Sequence, residues 1–383
     1  MKYYIIAGEA SGDLHGSNLI KELRNLDVQS TIRCWGGDLM QQAGADLVKH
    51  YKDLAFMGFT EVITNLPTIF KNLRYCKEDI AGFQPDTLIL IDYPGFNLRI
   101  ASWAKKTGLR VIYYISPQVW AWKENRVKSI RKSVDKMLVI LPFEKEFYKK
   151  WDIEVEYVGH PLVEEIENYK RQPLRPIRSE GNQGQFDNKK HQPIIALLPG
   201  SRKQEILKKL PVMLEMSRLQ PAYHFIVALA PGVETSFYKD LLQAYPEVSA
   251  IRGETYNLLR HATAACVTSG TATLETALFG VPEVVCYKGS HISYQIAKRL
   301  IKVKYISLVN LIMDKPVVKE LIQNDFTIQN LDKELTAVLT NDTQIRLLKA
   351  DYEQLKTILT KGGHASANAA RFIYNWLISS VFL

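Results

Sequence analysis

Short apolar runs alternate with stretches of helical periodicity through the first half of the chain. Lys2–Ala7 is an apolar run that ends at glycine, and Leu19, Ile20, Leu23 and Leu26 then recur at helical spacing. Thr87–Ile91 and Arg110–Ile115 are continuous apolar runs bounded by turn residues, the pattern of strands buried on both faces of a parallel sheet. Leu98–Lys106 reads as a helix between them, and Lys136–Ile140 and Val155–Val158 repeat the strand pattern. Residues 170–193 break the alternation. Pro173, Pro176, Gly181, Gly184 and the run Lys189-Lys190-His191, with little apolar content, predict a linker or surface loop. A second series follows, with Ile194–Leu198, His224–Leu229, Ala264–Val267 and Glu283–Cys286 as strands, each trailed by helical pattern. From Ile328 the chain reads as helix, split by Gly362-Gly363 and ending in a helix over Ala365–Ser379.

Repeated strand–helix units on both sides of a linker predict an α/β protein of two Rossmann-like, doubly wound lobes with a cleft between them and a helical C-terminal tail. The expected lobes are 1–169 and 194–362, joined by 170–193. The last helix, in 363–383, is expected to pack back on the first lobe.

Composition narrows the class. The chain has 383 residues, 46% hydrophobic and 23% charged, which excludes a disordered or collagen-like chain. No apolar run approaches the roughly 20 residues that span a bilayer. The opening reaches Gly8-Glu9 too soon for a signal-peptide core, so a cytosolic protein is expected. Cys34, Cys76, Cys266 and Cys286 are far apart and suggest neither a zinc site nor a disulfide framework. The net charge of +9 is uneven. Residues 1–170 carry 23 Lys/Arg against 22 Asp/Glu, whereas 171–383 carry 26 against 18. Residues 123–136 and 288–304 are locally basic, which suggests a polyanion, an anionic membrane surface or a phosphorylated substrate.

The chemistry sits at strand ends. The chain has no P-loop, G-x-G-x-x-G, H-E-x-x-H or G-x-S-x-G motif, and no D-x-D pair of the kind that holds a sugar-nucleotide diphosphate through a metal. After the first strand, Gly8-Glu9-Ala10-Ser11-Gly12-Asp13-Leu14-His15-Gly16 places glycines at every fourth position. The backbone there can approach a ligand, and a helix N-terminus can offer N–H groups to it. The plainer reading is a tight turn capped by Ser11 or Asp13. Asp92 ends the buried run Thr87–Ile91, where a partly desolvated carboxyl suits a general base, and Asn97 is the better cap for the next helix. In Ser116-Pro117-Gln118-Val119-Trp120-Ala121-Trp122, two tryptophans precede a helix with Val127, Ile130, Val134 and Met137 on one face. Lys123, Arg126, Lys128, Arg131 and Lys132 decorate the rest. The stretch reads as a docked surface helix or as an aromatic, basic patch for a membrane or a phosphorylated lipid. In the second half, Gly200-Ser201-Arg202 and Ser269-Gly270-Thr271-Ala272-Thr273, each after a strand, form an anion site suited to a nucleotide diphosphate. Glu275, one turn into the second helix, can accept two ribose hydroxyls.

The set GEASGD, MGF-x-EV (Met57–Val62, with Glu61), IDYPGFN, SPQVWAW, LPFEKEFY (Leu141–Tyr148), VGHPL (Val158–Leu162), LPGSR and SGTATLE, in this order, resembles bacterial lipid-A-disaccharide synthase. The resemblance implies an inverting glycosyltransferase of GT-B type. It would move 2,3-diacylglucosamine from UDP-2,3-diacylglucosamine to the 6-hydroxyl of 2,3-diacylglucosamine 1-phosphate (lipid X), giving UDP and a β-1,6 disaccharide 1-phosphate. It implies work in the cytosol at the anionic phospholipid surface of the inner membrane, no cofactor and no metal, and it leaves a homodimer open. At matching positions it makes Asp92 an essential acid and Arg202 a required arginine at the UDP site, and it adds Asn310 to that site. The acceptor and lipid are then expected at Gly8, Ser11, Gly12, Met57, Glu61, Phe96, Asn97, Trp120, Trp122, Arg126, Lys128 and Arg131. Asp92, His15 and Asp13 are the catalytic candidates, with the base left open between Asp92 and His15. Gly95 stands where many members carry an acid. The alternative of the same architecture is a non-hydrolysing UDP-N-acetylglucosamine 2-epimerase, which has no use for SPQVWAW. A two-lobed binding protein would not need Asp92, and the basic residues form no recognised nucleic-acid motif.

Overall fold

The computed structural model describes residues 1–53, 66–122, 124–177, 192–289, 304–360 and 363–379. They form two compact units, Met1–Pro161 with Leu359–Leu383, and Leu162–Ile358.

The first unit is built on seven parallel strands: β1 (Lys2–Ala7), β2 (Thr31–Gly36), β3 (Asp46–His50), β4 (Thr87–Ile91), β5 (Arg110–Tyr114), β6 (Lys136–Val139) and β7 (Val155–Tyr157), in the order β3-β2-β1-β4-β5-β6-β7. The apolar runs form central strands because helices cover both faces. Tyr4, Ile6, Leu88, Leu90 and Tyr113 enter one core, and Tyr3, Ile5, Ala7, Ile89, Ile91 and Tyr114 the other. Helix Ala365–Ser379 closes the second of these cores through Ala369, Ala370, Ile373 and Leu377, beside Leu19, Ile20 and Leu23 of helix Ala10–Leu26. Asn368 Nδ2 ties it to the Val158 carbonyl at 3.1 Å.

The second unit repeats the plan with β8 (Ile194–Leu198), β9 (His224–Leu229), β10 (Ser249–Arg252), β11 (Ala262–Thr268), β12 (Glu283–Tyr287) and β13 (Lys319–Ile322), in the order β10-β9-β8-β11-β12-β13. Helix Pro161–Lys170 belongs to this unit, so the boundary falls before residue 169. Lys170 Nζ donates to the Leu278 carbonyl at 2.7 Å, and Lys356 pairs with Glu167 at 3.2 Å. The tail breaks twice: helices Ile328–Thr340 and Asp342–Thr360 precede the last one.

Each sheet has one place where strand order reverses, between β1 and β4 in the first and between β8 and β11 in the second. In open α/β sheets the loops leaving such neighbours diverge and open a crevice at the carboxyl ends. Ala7 pairs with Ile91 and Leu198 with Val267, so residues 8–16 and 92–97 flank one crevice, and 199–202 and 269–275 the other.

Candidate functional site

In the first unit, Asp92 and Tyr93 both hold left-handed backbone, with φ +42° and +47°. That conformation is costly for residues with a Cβ and persists only where the surroundings enforce it. The Asp92 carbonyl accepts from Tyr113 Oη at 2.5 Å and from Asn97 Nδ2 at 2.8 Å, and its N–H donates to the Tyr114 carbonyl at 3.3 Å. Asn97 also reaches the Ile91 carbonyl at 3.2 Å. Asn97 therefore does not cap the helix Pro94–Lys106. It lies in the first turn and grips the strand end behind it, and Tyr93 is the N-cap. The Asp92 carboxyl is half-buried, with the Tyr93 N–H as its backbone donor. Burial first, and the charge of Glu9 second, raise it to about 6, against a smaller lowering by the Tyr93 N–H. A second carboxylate thus stands near Asp92 although position 95 is glycine, and it comes from the neighbouring loop.

Other expected residues of this crevice have structural work. The faces of the glycines are occupied by protein: a Cβ at Gly8 would meet the Tyr93 ring at 2.3 Å, at Gly12 the Ala7 Cβ at 3.0 Å and at Gly16 the Met40 Sδ at 2.7 Å. Gly8 and Gly12 admit close packing here in place of a ligand. The Asp13 carboxylate accepts from the N–H groups of Gly37 at 2.7 Å, Met40 at 3.0 Å and Leu39 at 3.1 Å. It caps the short helix Asp38–Gln42, which removes it from the catalytic candidates. Ser11 is exposed in the first turn of helix Ala10–Leu26, whose N-cap Glu9 makes no side-chain cap bond. His15 is half-buried, and burial lowers it to about 4. His160, in the VGHPL segment, is buried close enough to feel the charge of His15 and is lowered to about 3, mainly by burial.

Trp120 is 7% exposed, packed edge-on against Phe143 at 4.9 Å beside the buried Glu144, so it serves the core and not a lipid surface. Phe96 is buried and stacks on Trp35 at 5.6 Å. Val127, Ile130 and Met137 face inward, leaving Lys128, Arg131 and Lys132 exposed, with Arg131 3.9 Å from Asp152. Arg126 lines a groove of about 810 Å³ that opens on Pro94 and Gly95 of the Asp92 loop. Among the described residues its walls carry four cations, Arg74, Lys77, Arg99 and Arg126, and no acid, between apolar Phe70, Leu73 and Leu98. Met57, Glu61 and the side chain of Trp122 lie outside the described residues.

In the second unit, one pocket of about 400 Å³ brings together Gly200, Ser201, Arg202, Ser269, Gly270, Thr271, Ala272 and Glu275. Gly200 and Gly270 have φ +115° and +144°, values that favour glycine and turn each strand sharply into its helix. Arg202 and Gly270 are the N-caps of helices Lys203–Leu219 and Thr271–Phe279, so two helix N-termini serve one pocket. Thr273 is fully buried, with its hydroxyl on the Gly270 carbonyl at 2.8 Å. Asn310 is also buried, donating to the Val318 carbonyl and to Glu320 at 2.9 Å each and accepting from the Val318 N–H. Both shape the scaffold and do not line the pocket. Burial, then Glu165, raise Glu275 to about 7, with Tyr256 opposing.

Sequence reasoning missed Glu205, Lys209, Tyr256 and Glu165. Glu205 lines the pocket 3.7 Å from Arg202 and 3.7 Å from the buried Lys209, whose Nζ donates to Thr268 Oγ1. Their i, i+3 and i, i+4 spacing after Arg202 on one helix was the available signal. Tyr256 and Glu165 come from distant helices, and no local pattern announces them.

The chain matches the Lipid-A-disaccharide synthetase family over residues 3–373. It is 38% identical to the lipid-A-disaccharide synthase of Geobacter metallireducens over 94% of this chain and 93% of that protein. It is 39% identical to that of Syntrophus aciditrophicus over 95% of each. Among solved structures, a Neisseria meningitidis UDP-GlcNAc 2-epimerase bound to UDP-GlcNAc superposes with a TM-score of 0.65 at 14% identity, covering 99% of this chain and 100% of that one. The calicheamicin glycosyltransferase CalG4 superposes with a TM-score of 0.59 at 14% identity, covering 99% and 98%. At such identity the likeness is one of fold, the GT-B architecture.

Proposed function

This chain belongs to the lipid-A-disaccharide synthase family of glycosyltransferases, and from that premise we propose how its two units divide the reaction. The reaction is inverting transfer of 2,3-diacylglucosamine from its UDP derivative to the 6-hydroxyl of 2,3-diacylglucosamine 1-phosphate. UDP is held in the second unit. Its diphosphate lies at the N-termini of helices Lys203–Leu219 and Thr271–Phe279 with Arg202, and its ribose is on Glu275. The first unit supplies the base, Asp92, and the acceptor site. Inversion requires a base on the face opposite the departing UDP, and a sugar hydroxyl attacks poorly until its proton is removed in the transition state. The observation that carries this reading is the single pocket at the β8/β11 switch point, where eight of the ten residues expected for UDP converge. The test is incubation with the UDP-diacylglucosamine donor and the monosaccharide 1-phosphate acceptor. Release of UDP with disaccharide supports the reading, and epimerisation of a UDP-sugar without transfer overturns it.

Charge developing on UDP is met by helix N-termini and Arg202. Turnover in excess EDTA should therefore equal turnover without it; a strict requirement for a divalent ion contradicts this arrangement.

The groove beside Pro94 and Gly95 suits the acceptor: its cations can hold a phosphate and its apolar walls an acyl chain. Among the described residues no helix is long and apolar enough to cross a membrane, and the reading is a protein that works at the cytosolic face of the inner membrane. Lys128, Arg131 and Lys132 then contribute about 1 kcal/mol each near an anionic surface. Replacing all three with Glu should release the protein from anionic vesicles. Binding that persists in this variant at high salt would end the electrostatic part of the reading.

A further inference from the structure

Glu275, which lines the second unit's pocket, is joined to more ionisable chemistry than one ribose contact needs. Behind Glu275, the Tyr256 hydroxyl lies 3.2 Å from Glu275 Oε1 and 3.0 Å from Glu165 Oε1. The three side chains come from helices Thr271–Phe279, Thr255–His261 and Pro161–Lys170. The phenol is held by edge contact with Tyr169 and tilted contact with Phe279, centroids 5.3 and 5.2 Å away.

A proton count shows what this arrangement requires. A phenol has one proton to donate, and an ionised carboxylate can only accept. With both glutamates charged, Tyr256 satisfies one, and the other sets its lone pairs against the phenol oxygen beside a like charge. One added proton resolves this: the protonated carboxyl donates to the phenol oxygen while the phenol donates to the other carboxylate. Among the described residues the neighbouring cations are engaged elsewhere: Arg260 donates to the Gln172 carbonyl at 2.9 Å, and Lys356 pairs with Glu167. Lys170 is bound to the Leu278 carbonyl over the Phe279 ring, Arg175 is held by Glu254 and Tyr169, and Arg202 faces Glu205. Among the described residues no cation pairs with Glu165 or Glu275.

We propose that Glu165 and Glu275 share one proton through Tyr256, and that nucleotide binding expels it, leaving Glu275 as the charged acceptor of the ribose hydroxyls while Tyr256 donates to Glu165. Glu165 and Tyr256 are then positioning residues of the nucleotide site. The proposal rests on Glu275 as the ribose contact. Burial pushes both carboxyls upward, Glu275 to about 7, which agrees with a proton held near neutral pH. A diol donating twice to one carboxylate needs it ionised, so binding at lower pH expels a proton. Affinity should rise by up to about tenfold per pH unit on the acid side and level off above neutrality.

The experiment is calorimetric titration of the full chain with UDP-N-acetylglucosamine, whose diphosphate diester does not titrate in this range. It is run in two buffers of different ionisation heat and repeated with the 2′-deoxyribose analogue. The wild type should release roughly half a proton near about pH 7 and prefer ribose. Glu165→Gln, which keeps a donor to the phenol and removes the like charge, should release none and bind more tightly than wild type at acid pH. Tyr256→Phe should lose most of the ribose preference. Buffer-independent heats in the wild type with ribose preference intact overturn the shared proton, as does undiminished release in Glu165→Gln. Ribose preference retained in Tyr256→Phe overturns the positioning role. Equal binding of ribose and deoxyribose by the wild type is a different failure, that of the Glu275 contact itself.

Discussion

Asp92→Asn should lower turnover by about 10²–10⁴-fold while leaving the binding of both substrates nearly intact. The substitution keeps the shape of a side chain whose backbone is fixed by Tyr113, Asn97 and the Tyr114 carbonyl, so the strained turn should survive it. What it removes is basicity. The pH profile separates Asp92 from its rival. A base must be unprotonated to act, so activity is lost as pH falls through its pKa. Burial and Glu9 hold Asp92 up, at about 6, and burial holds His15 down, at about 4. If Asp92 is the base, the acid limb of kcat at saturating substrates lies near 6, and Glu9→Gln moves it lower by removing the neighbouring charge. An acid limb near 4, with near-normal turnover in Asp92→Asn and a folded but inactive His15→Ala, would transfer the role to His15.

The central strands were legible because burial on both faces leaves no polar position to confuse the pattern. Lys2–Ala7, Thr87–Ile91, Ile194–Leu198 and His224–Leu229 stand in the structure with the bounds their sequences predict. The strands that escaped were β2, β3, β10 and β13. Three of them are sheet edges, and β2 adjoins one. Polar residues such as Asp46 and Lys49 in β3 interrupt the apolar run because one side of an edge faces water, and Arg33 in the adjoining β2 pairs with that Asp46 at 3.5 Å.

The site divides along the same physical line. Residues whose placement follows from local geometry were legible: Asp92 at a strand end, and Gly200, Arg202 and Gly270 at strand–helix turns. Residues whose role depends on a partner far along the chain were not. Asp13 looks catalytic beside His15 until Gly37, Leu39 and Met40 present their N–H groups to it, 24 to 27 residues away. Trp120 looks like an exposed aromatic until Phe143 covers it. Asn310, assigned to the site through the family resemblance alone, is instead engaged at both ends of its amide by Val318, just before β13. Glu165 lies 91 positions from Tyr256, and no spacing rule connects them.

Arg202→Ala should weaken UDP binding by about 10–100-fold, the range of a charge-assisted hydrogen bond lost from an anion, about 1.5–3 kcal/mol. The structure makes this substitution informative because little of the fold depends on the side chain. Its guanidinium is 77% exposed, and its charged partner, Glu205, stands 3.7 Å away. An unchanged melting temperature is therefore expected, and the lost affinity can be assigned to the diphosphate. Lys209 offers the contrast: it is 3% exposed and bonded to Thr268, so its removal disturbs the pocket floor and would weaken UDP for structural reasons. Arg202→Lys restores the charge but not the planar fork that grips two phosphate oxygens, so its affinity should fall between those of wild type and Arg202→Ala. Turnover should fall further than affinity, because the negative charge on UDP grows as the glycosidic bond breaks and the cation is worth most at that moment. Calorimetry with UDP, steady-state kinetics and thermal melts of the two variants decide it. An alanine variant that binds UDP like the wild type would remove Arg202 from the diphosphate site and leave that work to the two helix N-termini.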